Sequence, residues 1–193
     1  MLPVEGANEK SYPQKDLHMF GLSVEGTALQ LKPIGVVRVN LSDEEVKASL
    51  KGVEGILEVY EEYAEGLHGI EGFSHLMIIT LLHKVSDAQR KTLKVKPKRL
   101  KLLGLNEEDI PEVGVFCTDS PHRPNPLALT IVELVEVNGR FLKVRGLDLF
   151  NGTPILDIKP YTPSRRVEIL KLPEWYQRIL KKLREKNPDV KDF

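Results

Sequence analysis

The dipeptide Asn138-Gly139 separates two runs of β-branched and apolar residues, LALTIVELVEV and RFLKVRGLDL. A two-residue turn that follows strand twist needs positive φ at its central residues, and Asn-Gly supplies this at the least steric cost. The stretch is therefore read as an antiparallel hairpin that any fold must accommodate. Asn151-Gly152 gives a second tight turn before TPILDIKPY. SHLMIITLLH, the most apolar run, predicts a central strand buried on both faces. MFGLSVEG, ALQLKPIGVVRVN, GILEVY and VGVFCT read as further strands. Helix signals are few. Ser42 with Glu45 forms a capping box for a short helix through about Lys51, and EEYAEGLHGIEGF holds one turn before a glycine-punctuated bend. In PEWYQRILKKLREKNPDV, Pro173 suits a helix start and Trp175, Ile179 and Leu183 share one face. Strands come first and one substantial helix last, with no βαβα alternation and no Gly-rich strand-to-helix turn, which argues against a dinucleotide fold. The expected fold is mainly β: a compact antiparallel β-barrel with a few short helices and a C-terminal helix. The chain divides into an N-terminal extension (1–30, loose to about residue 17), the barrel (31–170), and a C-terminal helix and tail (171–193).

The 193 residues suit one domain with an appendage. Lys+Arg and Asp+Glu are equal at 28 each, so only the distribution of charge bears on nucleic acid. RKTLKVKPKRLK concentrates Arg90, Lys91, Lys94, Lys96, Lys98, Arg99 and Lys101 within a polar excursion, residues 84–112, broken by Pro97 and Pro111. Excursions of that size are usually functional or mobile. The cluster suits phosphates or a solvated face. The single Cys117 excludes an intrachain disulfide and a cysteine-rich zinc site. No histidine pair has ligand spacing beside a carboxylate, so no metal is expected. No apolar run approaches the ~20 residues of a membrane helix, and the N-terminus lacks a signal-peptide core. The expectation is a cytoplasmic protein, and abundant Lys and Glu lean towards a thermophile.

Two segments carry candidate chemistry. In TDSPHRPNPLALT, Pro121, Pro124 and Pro126 fix the backbone around His122, Arg123 and Asn125. That makes either a rigid corner or a preorganised binding loop. DLFNGTPILDIKPYTP repeats the design, with Pro160 and Pro163 around Tyr161. Asp157 and Lys159 share one strand face, either neutralising each other or serving a site. Cys117 with His122 as base would make a thiol nucleophile, but inside an apolar strand it reads as a buried structural thiol. His75 reads as satisfying a backbone group. For His83, at the far end of its strand, structural and functional readings both stay open.

KPIGVVR, GFSHL, VGVFCTDSPHRPNP and GLDLFNGTPILDIKPYTP, in that order, closely resemble the TsaA-like (tRNA methyltransferase O-like) family over about Ile34 to Pro163, with this chain a divergent member of archaeal type. The resemblance implies a compact β-barrel, usually dimeric, that binds S-adenosylmethionine and methylates threonylcarbamoyl-adenosine beside the tRNA anticodon. Carried over by position, it implies cofactor contacts from His83, Lys84, Asp119, Leu129, Leu149, Phe150, Asn151 and Gly152. It implies catalytic roles for Arg123, Asn125, Asp157 and Tyr161, with Lys159 lining or bracing the same cavity. Arg123 and Asn125 would fix the loop and the acceptor, and Asp157 would orient Lys159 or accept a proton. Phe150 is available to favour the sulfonium cation. The implied partners are tRNA, along the basic excursion, and a second copy of the chain, with no membrane and no metal.

Four departures stand out. The family's TRSP is TDSP here, so Asp119 inverts a charge. NLSDEEVKASL occupies the place of a Pro-Arg-Gln segment, His-Gln has become His83-Lys84, and Asp-Gly has become Asn151-Gly152. Lys84 would supply the missing cation from across the pocket. The charge reversal also keeps a rival reading open: a non-catalytic β-barrel module that binds a nucleoside or RNA.

Overall fold

The computed structural model describes residues 20–24 and 27–186, with side chains from residue 30 onward. The expected loose segment up to about residue 17 and the end of the tail lie outside the described residues. The chain forms two units, one up to Pro33 and one from Ile34 onward. In the first, β1 (Phe20–Val24) and β2 (Thr27–Leu31) form an antiparallel hairpin with Phe20 opposite Leu31. ALQLKPIGVVRVN is therefore two strands rather than one. Pro33 lacks a ladder donor and constrains Lys32, and β3 (Gly35–Arg38) begins beyond it.

The second unit continues with α1 (Asp43–Ala48), β4 (Val53–Val59), β5 (His75–Leu81), α2 (Asp87–Arg90), β6 (Lys94–Val95) and β7 (Val113–Gly114). It ends with β8 (Leu127–Asn138), β9 (Phe141–Leu147), β10 (Pro154–Pro160) and α3 (Glu174–Lys186). Six strands close a barrel in the order β10-β3-β4-β9-β8-β5, every pair antiparallel. This is the mainly β fold expected from the sequence. Val37, Leu57, Leu76, Ile78, Val132, Leu142, Val144 and Ile155 are fully buried. Flanked by β8 and β10, β5 buries Leu76, Met77 and Ile78 in succession, as its unbroken apolar run predicts.

The β8–β9 register pairs Asn138 with Phe141, so the turn's central residues are Gly139 and Arg140, one position later than the dipeptide suggested. Gly139 takes the positive φ, +56°. Ser42 caps α1 through the expected box, but the helix stops at Ala48, short of Lys51. Gly52 then turns with φ +73° directly against Gly146, where a Cβ would lie 2.5 Å from the Gly146 carbonyl carbon.

Two expectations fail. VGVFCT is not one strand: β7 is two residues long and Val115–Cys117 makes a 3-10 turn. Val115 turns inward while Phe116 and Cys117 face solvent, so the thiol is exposed rather than buried. The basic excursion, whose internal structure the sequence reading left open, carries elements of its own. Besides α2 and β6 it forms 3-10 turns at Lys98–Leu103 and Glu107–Asp109. Its Leu100, Leu105 and Ile110 share a small core with Ile179 and Leu183 of α3, with Trp175 packed against it. The apolar face read from the sequence of α3 is thus the face that clamps the excursion.

Candidate functional site at one rim of the barrel

Topology brings four chain segments to one rim. β5 exits into His83 and Lys84, and β8 enters beside it, with Leu82 N–H donating to Pro126 O at 2.7 Å and Leu127 opposite Leu81. The proline-rich loop of residues 118–126 therefore lies at the same end. β9 exits into the 149–152 turn, which docks on β3: Gly152 N–H donates to Val37 O at 2.9 Å, and Val39 N–H to Asn151 Oδ1 at 3.1 Å. α1 follows β3 and arrives over that turn.

Phe150 packs half-buried against the barrel core. Two ammonium groups face its ring, Lys84 Nζ at 5.0 Å from the centroid and Lys47 Nζ at 5.2 Å. Lys84 Nζ also donates to both Asp43 carboxylate oxygens, at 2.7 and 2.5 Å. His83 is half-buried, and its Nδ1 is enclosed without a hydrogen-bond partner. Burial pushes its pKa below the ordinary imidazole value, and the Lys84 ammonium pushes the same way against a smaller opposing pull from Asp43. The ring is therefore neutral near pH 7. An enclosed ring nitrogen without a partner is destabilising by about 1–3 kcal/mol, which a bound polar group would recover.

The proline-rich loop is braced by its own polar groups. Arg123 Nη1 donates to Thr118 O at 3.0 Å, Ser120 N–H to Thr118 Oγ1 at 3.2 Å, and His122 N–H to Ser120 Oγ at 3.3 Å. Among the described residues Asp119 and Asn125 make no side-chain hydrogen bond, and both are exposed. Among the described residues no base hydrogen-bonds to Cys117, which leaves the thiol-nucleophile reading without support.

Other predicted residues do not bring their side chains to this rim within one chain. Leu149 is buried in the barrel core and can present only its backbone. Leu129 lies on the barrel exterior, 62% exposed and opposite Ile79. Asp157 forms an ion pair with Lys159 at 2.6 Å and accepts from Ile158 N–H at 2.9 Å, so mutual neutralisation accounts for the pair. Tyr161 donates its N–H to His75 O at 3.1 Å, at the opposite end of β5 from His83. Seven strand residues put about 20 Å between those ends. His75 is exposed and its Nδ1 meets Ser74 Oγ at 3.0 Å, not a backbone group. A cleft of about 180 Å³ opens at this far end, lined by Leu67, His68, Ile70, Phe73, Ile158 and Pro160.

Sequence reasoning missed Asp43 and Lys47. Their i, i+4 spacing puts them on one helix face, but only the docking of the 149–152 turn on β3 shows that this face covers Phe150.

A closed six-stranded antiparallel barrel with a His-Lys strand exit, a proline-braced loop and an Asn-Gly turn on one rim is a small β-barrel with a polar rim site. The chain belongs to the tRNA-methyltransferase O family, whose N-terminal-domain model matches residues 45–165. It is 37% identical over 166 residues to a probable S-adenosyl-L-methionine-binding protein of Pyrococcus abyssi, covering 84% of each chain. It is 35% identical over 147 residues to the tRNA (adenine(37)-N6)-methyltransferase of Escherichia coli, covering 71% of this chain and 59% of that one. A crystal structure of TrmO superposes with a TM-score of 0.55 at 28% identity, covering 76% of this chain and 64% of that one. TrmO from Pseudomonas aeruginosa gives 0.53 at 27% identity, covering 75% and 62%. The chain thus spans just under two thirds of the crystallised TrmO chains it matches.

Proposed function

We propose that this chain is an S-adenosylmethionine-dependent methyltransferase that acts on tRNA in the cytoplasm, with threonylcarbamoyl-adenosine beside the anticodon as its acceptor. The observation that carries the reading is the rim cluster. His83, with its enclosed and unpartnered Nδ1, stands beside Lys84, Phe150 and Asn151, the positions from which the family resemblance implies cofactor contacts. The residues fit such a ligand at its anionic and hydrogen-bonding ends. They do not fit the role expected of Phe150 towards the sulfonium, because two ammonium groups already face that ring. When bound, S-adenosylmethionine supplies an already activated methyl group, so the chain's residues have only to bind, orient and exclude water. Lys84 binds, Asn151 holds the turn to β3, Arg123 keeps the loop rigid, and neutral His83 offers a nitrogen that holds or takes a proton.

The tRNA runs along the excursion, which α3 holds in one shape. Arg99 donates to Ser49 O and Lys101 pairs with Glu107, whereas Lys91, Lys94, Lys96 and Lys98 form no ion pair among the described residues and are left for phosphates. A second copy covers the exterior strip of Leu129 and Ile131, which lies beside Met77 and Ile79. A two-fold axis across β5 would carry one copy's Tyr161 end towards the other's His83 end, uniting groups that one chain keeps apart. A monomer by light scattering would sink that arrangement.

Calorimetry and mass analysis of tRNA nucleosides test the function. Binding of S-adenosylmethionine, with loss of a methylated adenosine from tRNA of a deletion strain, is the expected result. No binding at millimolar ligand would end the cofactor reading. Binding with unchanged tRNA would leave the non-catalytic barrel module, which the exposed Asp119 favours.

A further inference from the structure

The rim holds two cations and one carboxylate around a single aromatic ring, and the site residues implied by resemblance include only one of the three. Lys47 and Lys84 come from segments far apart in sequence, yet their ammonium groups lie 5.2 and 5.0 Å from the same Phe150 ring centre. Two like charges over one ring repel each other unless an anion lies between or beside them. Asp43 answers only one of them, through both carboxylate oxygens on Lys84. The sole ion pair of Lys47 among the described residues is to Glu44 at 3.7 Å, with both side chains well exposed (61% and 81%). Such a contact is worth little. Apart from the Phe150 ring, Lys47 therefore has no close partner at the rim, while His83, next to Lys84 in the chain, has an enclosed nitrogen that also lacks one.

We infer that Lys47 and Lys84 form a carboxylate clamp, with Phe150 as its floor and Asp43 holding Lys84 in place from behind. The ligand group is a carboxylate, and within the function proposed above, on which this inference rests, two sources exist: the amino-acid arm of the cofactor and the threonyl carboxylate of the modified base. The clamp places Lys47, on a helix that stands where the family carries a Pro-Arg-Gln segment, among the specificity-determining residues of this chain.

The test compares ligands with and without the carboxylate. Wild-type protein and Lys47→Met are titrated calorimetrically with S-adenosylmethionine and with 5′-methylthioadenosine, which keeps the nucleoside and lacks the amino-acid arm. A carboxylate seated between both lysines is shielded by the ligand itself, unlike the open contact with Glu44, and such a charge-assisted hydrogen bond predicts a loss of about tenfold. If the cofactor's carboxylate is clamped, Lys47→Met weakens S-adenosylmethionine about tenfold and leaves 5′-methylthioadenosine unchanged. If the threonyl carboxylate is clamped, neither titration changes, but KM for tRNA carrying threonylcarbamoyl-adenosine rises about tenfold with kcat unaltered. Equal weakening of both small ligands, or no change in any of these measurements, overturns the clamp while leaving the cofactor reading intact. Failure of the wild-type protein to bind either nucleoside removes the cofactor reading and the clamp together.

Discussion

Leu183→Ala asks whether the basic excursion and the barrel are one cooperative unit or two. Leu183 is fully buried in the small core shared by α3 and the excursion, and none of that core's residues belongs to the barrel core. The substitution removes three carbons, about 2.4 kcal/mol of burial at ~0.8 kcal/mol per group. A cavity term adds to this, but the cluster has few members and lies under partly exposed residues, so it can partly collapse. The expected cost is about 3 kcal/mol, near the low end for such changes. Because the barrel core is untouched, the cost should appear as local opening. Every ~1.4 kcal/mol is a factor of ten, so protection of the excursion amides should fall by about two orders of magnitude.

Hydrogen exchange read by mass spectrometry reports this directly. The amides of Gly104, Asp109 and Ile110, bonded to Lys101 O, Asn106 O and Glu107 O, should exchange about a hundredfold faster. The amides of β5 should not change. Affinity for tRNA should fall while affinity for S-adenosylmethionine holds. Equal loss of protection in β5 would refute the separation of the two cores, and unchanged exchange in the excursion would refute the claim that α3 pins it.

Three further expectations follow from single residues. His83 has a lowered pKa in the folded chain. The unfolded chain therefore binds more protons once pH falls below about 6.5, and stability present above that pH is lost as pH drops towards the folded value. Urea midpoints from pH 7.5 to 5 should show this slope and His83→Gln should flatten it; an unchanged slope would rule out His83 as its source. Gly52→Ala combines φ +73° with a Cβ 2.5 Å from the Gly146 backbone, whereas Gly139→Ala meets open space at φ +56°. The first should cost roughly 2 kcal/mol more than the second in thermal or urea unfolding, and equal costs would contradict the close approach. Asp119→Arg, at an exposed position without a hydrogen bond, should raise affinity for S-adenosylmethionine or modified tRNA if the family's charge arrangement is latent; unchanged or weaker binding would mean that the rim is rebuilt around other cations.

What was legible in the sequence was whatever local chemistry decides. The box of Ser42 and Glu45, the β8–β9 hairpin, the Asn151-Gly152 turn and the Trp175, Ile179, Leu183 face depend on residues within a few positions of one another. The failures share the opposite property. Cys117 reads as buried because apolar residues surround it in sequence, but Val115 N–H bonds to Leu93 O and the chain turns before it can continue as a strand. The small core of the excursion went unread because Leu100, Leu105 and Ile110 pack against a helix some seventy residues later. At the rim, His83, Lys84, Phe150 and Asn151 converge because each ends or follows a strand of one closed sheet. Asp43 and Lys47 carry no signal of their own, since their place over Phe150 depends on long-range register.

The location of the site follows from the size of the barrel. Even an eight-stranded barrel is just wide enough for side chains to fill its bore, and here six strands close around fully buried Val, Leu and Ile. A nucleoside has no room inside, so any ligand must sit on a rim or against an outer face, held by residues at strand ends. Those positions contribute little to the core, and their charges can change without disturbing it. The charges at Asp119, Lys84 and Lys47 can therefore change while the barrel, which superposes on TrmO, keeps its fold. Asp119 lies on the loop entering β8. Lys84 and Lys47 lie on the exit of β5 and on α1, at the same rim. Ligand preference at this rim is thus set by residues that the core does not constrain.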